Sequence, residues 1–299
     1  MMTDVPEADL IDGRELSQAV RDEVKTDIKD WTESGHRAPF LSAVLVGDNP
    51  ASEAYVRGKE KDAAEVGIET NTHHLDADTS QEELLDLVYN LNADPSVDGI
   101  LVQLPLPDHM EERAIIDAVD PSKDVDGFHP ENLGRLMRGN PRYLPATPYG
   151  ILQMLSRCDI NPEGMDAVIV GRSNIVGKPL ANLLLRRTAN ATVTVCHSRT
   201  RDLAAHTRRA DLLVAAAGQA AFIDGEMVKE GAVVIDVGIN RVEDSTADRG
   251  YRLMGDVDFE DVRPKAARIT PVPGGVGLMT RAMLLKNTLT AARLRATST

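Results

Sequence analysis

The sequence predicts two α/β domains, the second a Rossmann-type dinucleotide-binding domain, and three observations predict it. Apolar strand-like runs alternate with helical stripes twice along the chain, and such alternation builds parallel sheets. The run Val168–Val170 enters a turn at Gly171, and Gly177 with Lys178 and Pro179 opens a helix soon after, the layout of a pyrophosphate site. At 299 residues the chain is long enough to bury a core in each domain.

Each element has its own signal. Leu16, Val20, Val24, Ile28 and Trp31 form one helical stripe that Gly35 closes. Leu41–Gly47 reads as a buried strand, Pro50–Val66 and Gln81–Leu91 as helices, Val97–Leu104 as a second strand, and about Glu111–Val119 as a helix. A loop rich in charge and glycine, Pro121–Gly127, then leads to Pro145–Pro148, where the prolines break regular structure and the chain crosses between domains. The second alternation has strands at Ala167–Val170, Thr192–Cys196, Leu212–Ala216 and Val233–Val237, with a helix over Pro179–Arg187. Pro271–Gly277 marks the return, and a last helix near Leu278–Leu294 is expected to pack on the first domain. The expected domains are therefore 1–147 with 276–299, and 148–275.

Composition narrows the function. The net charge of −14, from 47 acidic and 33 basic residues, argues against nucleic acid or an anionic membrane as partner. No apolar run is long enough to span a bilayer and no signal peptide is evident, so the expected compartment is the cytoplasm. Cys158 and Cys196 fit neither a metal spacing nor a disulfide framework and read as buried small hydrophobes. The 29 Asp and 24 Arg against 9 Lys suggest a surface adapted to high salt, although acidic chains also occur in ordinary cytoplasm. Of the scarce lysines, Lys59 and Lys178 lie inside motifs.

The glycine turn departs from the usual fingerprint. Ser173 stands where a second glycine would be, and Gly177 comes one residue late. The next strand ends in His197, Ser198, Arg199, Thr200 and Arg201, with no carboxylate to hold a ribose 2′-hydroxyl. A hydroxyl and guanidinium groups, with Arg172 across the loop, suit a 2′-phosphate and favour NADP over NAD. A glycine turn without a ligand remains the alternative.

Tyr55 and Lys59 share a helix face, which alone could be a lysine stem resting on a ring. Gln103 changes that balance, because it ends a strand at the carboxyl edge where open parallel sheets bind ligands. An uncharged amide there can orient an amine, and a desolvated lysine has its pKa lowered enough to move protons near neutral pH. Asp126, in the segment Lys123–Gly127, stands evenly between a solvated turn residue and a carboxylate that grips two N–H donors of a flat heterocycle. The glycines at 274, 275 and 277 would let backbone approach a ring, or serve as a hinge. His73, His74 and His109 are assigned no role, and no metal is expected.

Taken together, Tyr55–Lys59, Gly99–Leu106, Lys123–Gly127, Gly171–Pro179 and Pro271–Gly277 closely resemble the bifunctional methylenetetrahydrofolate dehydrogenase/methenyltetrahydrofolate cyclohydrolase family, over nearly the whole chain. The resemblance implies two α/β domains about a cleft, NADP on the second, a tetrahydrofolate one-carbon derivative against the first, and a homodimer. It implies that Lys59 is the central catalytic residue, that Tyr55 stacks on or orients the folate, and that Gln103 tunes Lys59. Asp126, Pro273, Gly274, Gly275 and Val276 would contact substrate, and Gly171, Arg172, Ser173, Val176, Gly177, Ser198, Arg199 and Ile239 the cofactor. The implied chemistry is oxidation of 5,10-methylenetetrahydrofolate by NADP, then hydrolysis of the methenyl product to 10-formyltetrahydrofolate. The chain departs from the family pattern at Leu278, where proline is usual, and at Ala146, where cysteine is frequent. A dehydrogenase of the same fold without cyclohydrolase activity, and a dinucleotide sensor without catalysis, are the rival readings.

Overall fold

A computed structural model describes residues 8–247 and 250–297. These divide into two compact units, one of Gln18–Ala146 with the chain from Arg281 onward, the other of Thr147–Thr280 with the chain up to Ser17.

The first unit is built on a three-stranded parallel sheet. Helix α1 (Gly13–Glu33) buries Val20, Val24 and Ile28 of the stripe predicted for it, leaves Leu16 and Trp31 half-buried, and is followed by Gly35 at φ +95°. Strand β2 (Phe40–Val46) lies between β3 (Glu69–Leu75) and β4 (Gly99–Val102) and is buried along nearly its whole length, as a central parallel strand must be. The edge strand β3 has no counterpart in the sequence reading, because Glu-Thr-Asn-Thr-His-His is too polar to show a strand signal. Helix α2 (Pro50–Val66) begins at the Asn49 cap with Pro50 behind it and stops at Gly67, φ +90°, matching its predicted bounds. The capping box of Ser80 and Glu83 starts α3 (Gln81–Ala93). Short helices α4 (Glu112–Ala118) and α5 (Pro130–Met137) complete this part of the chain, over a core that includes Val44, Leu84, Val88, Ile100 and Ile115.

The second unit carries a six-stranded parallel sheet. It is entered by α6 (Ala146–Arg157): Pro145 lies in irregular chain just before it, but Pro148 does not break regular structure as expected. Pro148 falls in the first helical turn, where its missing N–H removes no helical bond. The strands are β5 (Asp166–Val170), β6 (Thr192–Cys196), β7 (Leu212–Ala215) and β8 (Val233–Asp236), with α7 (Gly177–Leu184) and α8 (Leu203–Thr207) between them. A hairpin of β9 (Asn240–Glu243) and β10 (Tyr251–Met254), helix α9 (Phe259–Val262) and strand β11 (Arg268–Ile269) follow, and α10 (Val276–Ala296) ends the fold. The order β1-β11-β8-β7-β5-β6 reverses direction between β5 and β7, the switch point at which doubly wound sheets bind ligands. At the far edge, β1 (Asp9–Leu10) pairs with β11. This two-residue strand draws the N-terminal arm into the second unit, whereas the sequence reading gave it to the first. Such an edge pairing leaves no periodic signal.

Among the described residues no helix is long and apolar enough to cross a membrane. Cys196 is buried and Cys158 partly so, both as free thiols.

Candidate active site and nucleotide loop

In the first unit, α2 presents Tyr55 and Lys59 on one face, with the Lys59 amine 4.8 Å from the Tyr55 ring centroid. Gln103 follows β4 and extends it, its N–H donating to Val44 O at 2.9 Å. Its side-chain Oε1 accepts from Lys59 Nζ at 3.1 Å, while its Nε2 donates to Leu104 O at 2.6 Å. The second bond fixes which end of the amide faces the lysine. Lys59 is 6% exposed, and burial holds its pKa below the usual lysine value, with the charge of Asp126 opposing and that of Arg281 adding to the effect. Arg281 reaches Asp62 at 2.7 Å by passing over Gly58, where any Cβ would overlap the guanidinium.

Asp126 is held by a loop that the sequence showed only in part. Lys123 is 1% exposed and donates to the carbonyls of Leu91, Asn92 and Asp94 at 2.8, 2.8 and 2.6 Å. It therefore closes the C-terminal end of α3, where a cation suits the helix dipole. Asp124 accepts from the N–H groups of Gly127, Phe128 and His129 and from Asn132 Nδ2. With both neighbours committed to structure, the half-buried Asp126 carboxyl is pushed up to about 6 by burial, against the pull of Lys59 and with the push of Asp124. Its own carbonyl takes the N–H of Ala146 at 3.2 Å.

In the second unit the turn after β5 is closely built. Gly171 adopts φ +138°, and a Cβ there would overlap Ala216 O; a Cβ on Gly177 would overlap Gly171 O. The first N–H groups of the following helix were expected to face the ligand. Instead Ser173 Oγ accepts from Val176 N at 3.1 Å and Gly177 N at 3.4 Å, and Ser173 O accepts from Lys178 N at 3.1 Å. A serine in the second glycine's place thus takes up N–H groups at the entry to the helix. Gly171 N bonds Cys196 O at 2.9 Å, so the loops carrying Arg172 and Ser198 leave adjacent strands at the same sheet edge. Arg172, Ser173, Ser198 and Arg199 are all exposed there, and Ile239 is 53% exposed. Guanidinium and hydroxyl donors without a carboxylate at the β6 end fit a nucleotide bearing a 2′-phosphate.

Comparison with known proteins agrees over almost the entire chain. Residues 11–126 match the catalytic domain of tetrahydrofolate dehydrogenase/cyclohydrolase, and residues 145–296 its NAD(P)-binding domain. The bifunctional protein FolD of Salinibacter ruber is 86% identical, covering 99% of this chain and 100% of the relative. The chain belongs to the tetrahydrofolate dehydrogenase/cyclohydrolase family. A FolD protein of Haloarcula marismortui is 54% identical over 96% of this chain and 97% of its own. The methylenetetrahydrofolate dehydrogenase-cyclohydrolase of Trypanosoma brucei, solved with NADP and an inhibitor, superposes with a TM-score of 0.93 at 41% identity, over 97% of this chain and 99% of that one.

The two departures from the family pattern sit in defined local settings. The Leu278 N–H donates to Gly275 O at 3.2 Å, a bond proline could not make. Ala146 is fully buried at the start of α6, where its N–H meets Asp126 O. The turn Pro273–Val276 lies in the second unit, with Gly274 at φ +113° against Arg14.

Sequence reasoning missed a pair of buried acids in this family member. Asp256 accepts from the N–H groups of Ala217, Gly218 and Gln219, directly after β7, and from Asn240 Nδ2. Asp236 accepts from Gly238, Asp256 and Val257, and its carboxyl is pushed up to about 7 by burial and the charge of Asp256 against its three donors. The signal was present as glycines: a Cβ on Gly238 would overlap Asp256, and one on Gly255 would overlap Asp236. Asp48, Glu53 and His74 also gather within 4.8 Å, yet Glu53 pairs with Arg57 and His74 with Gly47 O, so no metal is assigned.

Proposed function

We infer that the protein oxidises 5,10-methylenetetrahydrofolate to the methenyl form with NADP and hydrolyses that product to 10-formyltetrahydrofolate, as a bifunctional enzyme of one-carbon metabolism. The observation that carries the reading is the buried Lys59 amine, with its lowered pKa, held on Gln103 beside Tyr55. A neutral amine can take a proton from attacking water and return one to a departing folate nitrogen. Tyr55 offers its ring to the flat folate, and Asp126 accepts N–H donors of the pterin edge. When bound, NADP supplies the hydride acceptor. Gly171, Arg172, Ser173, Val176, Gly177, Ser198, Arg199 and Ile239 are assigned to holding it, and Pro273, Gly274, Gly275 and Val276 to the substrate, as the family pattern implies. A cytoplasmic homodimer is part of the same proposal, with domain limits at 1–147 plus 276–299 and 148–275 as its sequence-based form. The test follows reduced nicotinamide and methenyl product together, with NADP or NAD as acceptor. NADP reduction without methenyl hydrolysis favours the dehydrogenase-only reading, and NADP binding without turnover favours the sensor.

Cofactor choice gives one expected result. Arg172→Ala with Ser198→Ala should lower the NADP/NAD ratio of kcat/KM by about tenfold or more, the worth of a lost charge-assisted contact. An unchanged ratio contradicts this assignment.

Salt gives another. The net charge of −14 repels itself in dilute buffer, and the Salinibacter and Haloarcula relatives fit a surface adapted to salt. The melting temperature should rise between about 0.1 and 2 M potassium chloride, as screening shortens to a few ångströms. A flat or falling curve removes the salt adaptation and leaves the enzyme assignment standing.

A further inference from the structure

The chain returns to the first unit at Arg281, within α10. From there the Arg281 side chain reaches α2, where its Nε donates to Asp62 Oδ2 at 2.7 Å. Gly58 and Asp62 stand four residues apart on α2, about one turn, so they share a face. The guanidinium lies along that face, and a Cβ on Gly58 would overlap its Nη1. Glycine inside a helix is costly relative to alanine, and here its bare Cα leaves the guanidinium its place. The next residue is Lys59.

The charges about the Lys59 amine come from three parts of the unit. On its own helix, Asp62 is 3% exposed, and a buried carboxylate one turn away would by itself favour an ammonium at Lys59. From the loop after β4, Asp126 acts in the same sense, with Asp124 behind it. From α10, Arg281 opposes both: burial lowers the Lys59 pKa most, Asp126 raises it, and Arg281 lowers it again. Glu60, the next acid along α2, accepts from Thr72 Oγ1 at 2.5 Å. Tyr55 and Gln103, which the amine touches, carry no charge. Two buried carboxylates with no cation between them would keep the proton on the amine and leave it a poor base. A guanidinium cannot shed its own proton in this range, so the field it sets is the same at every working pH.

We propose that Arg281 is a positioning residue for the proton steps of the folate reaction: anchored on Asp62 and laid over Gly58, its guanidinium is the fixed cation against which Lys59 takes up and returns its proton. The role rests on the folate reading of Lys59. A side chain at position 58 would displace the guanidinium, so the glycine belongs to the same arrangement.

The full chain is assayed for hydrolysis of methenyltetrahydrofolate above the uncatalysed rate, from about pH 6 to pH 9, with a melting curve for each variant. Hydrolysis should rise with pH as Lys59 loses its proton. In Arg281→Met the cation is gone and Asp62 stands alone, so this limb should move up by about one pH unit and the rate below it should fall about tenfold. Asp126 and Asp124 feel the same loss and shift in the same direction. In Asp62→Asn the cation stands alone, and the limb should move down instead. Opposite shifts separate a charge acting on Lys59 from an ion pair that only holds α10 on α2, because breaking such a pair from either side has one effect. Arg281→Lys keeps the charge and should restore the limb. If Arg281→Met does not fold, since it leaves a buried carboxylate unpaired, Asp62→Asn carries the test: its unpaired guanidinium, on a side chain 21% exposed, still meets water. Limbs that do not move, or that move the same way in both variants, overturn the role of Arg281 and leave the folate reading standing. Absence of hydrolysis by the wild-type protein overturns both.

Discussion

Lys59→Met is expected to fold, to bind NADP, and to lose detectable cyclohydrolase activity while keeping part of its dehydrogenase activity. Hydride transfer needs chiefly that the substrate carbon and the nicotinamide be held close and in line. Hydrolysis also needs protons moved to and from water and the folate nitrogen, and Lys59 is the group positioned and tuned for that. Methionine fills most of the stem volume and removes a buried amine that is costly to hold charged, so the fold has little to lose. Without the lysine's opposing charge, burial should push the Asp126 carboxyl higher still. Gln103→Ala should impair both activities by freeing the amine to turn away. Methenyl hydrolysis is measured above the uncatalysed rate, beside NADP binding and a melting curve. Hydrolysis near the wild-type rate in Lys59→Met would refute the assignment.

What the sequence made legible follows from what leaves a local pattern. Helix α2 was bounded correctly because Asn49, Pro50 and Gly67 mark both its ends within the chain itself. The buried strands of the second sheet were found because parallel strands covered on both faces are continuous apolar runs. Strand β3 was not, since an edge strand can be polar on both sides and take its order from β2. Lys59 and Gln103 were named in advance, but 44 positions separate them, and their hydrogen bond exists only because β4 and α2 bring them together. Lys123 shows the opposite case. It opens the segment Lys123–Gly127, where its spacing assigns it no role, and its three carbonyl partners make it a helix cap. Ser173 was read as a missing glycine, whereas its hydroxyl takes up the N–H groups at the helix opening. These distinctions depend on which atoms meet across the fold, and residue spacing does not carry that information.

Asp256→Ala is expected to produce the largest loss of stability among single substitutions in the nucleotide-binding unit, although Asp256 stands in none of the motifs read from the sequence. Its side chain is fully buried and accepts from Ala217 N, Gly218 N, Gln219 N and Asn240 Nδ2 at 2.6, 2.8, 2.9 and 2.9 Å. Removing the carboxylate leaves four donors facing a space with no acceptor, and each orphaned group costs about 1–3 kcal/mol before water enters to replace it. A net loss of about 3 kcal/mol lowers the melting temperature of a unit of this size by roughly 10 °C. The three backbone donors belong to the loop that follows β7 and begins beside the Ala216 carbonyl, against which Gly171 is packed. NADP affinity should therefore fall along with stability. Asp256→Asn separates shape from charge. One of its two positions becomes an NH₂ group aimed at two existing donors, so it should also destabilise, by less than alanine, because the other oxygen still accepts. Melting curves at fixed salt, with and without NADP, provide the measurement. A melting temperature within about 2 °C of wild type for Asp256→Ala would mean that the loop carries its own conformation, and that the buried acid merely fills space.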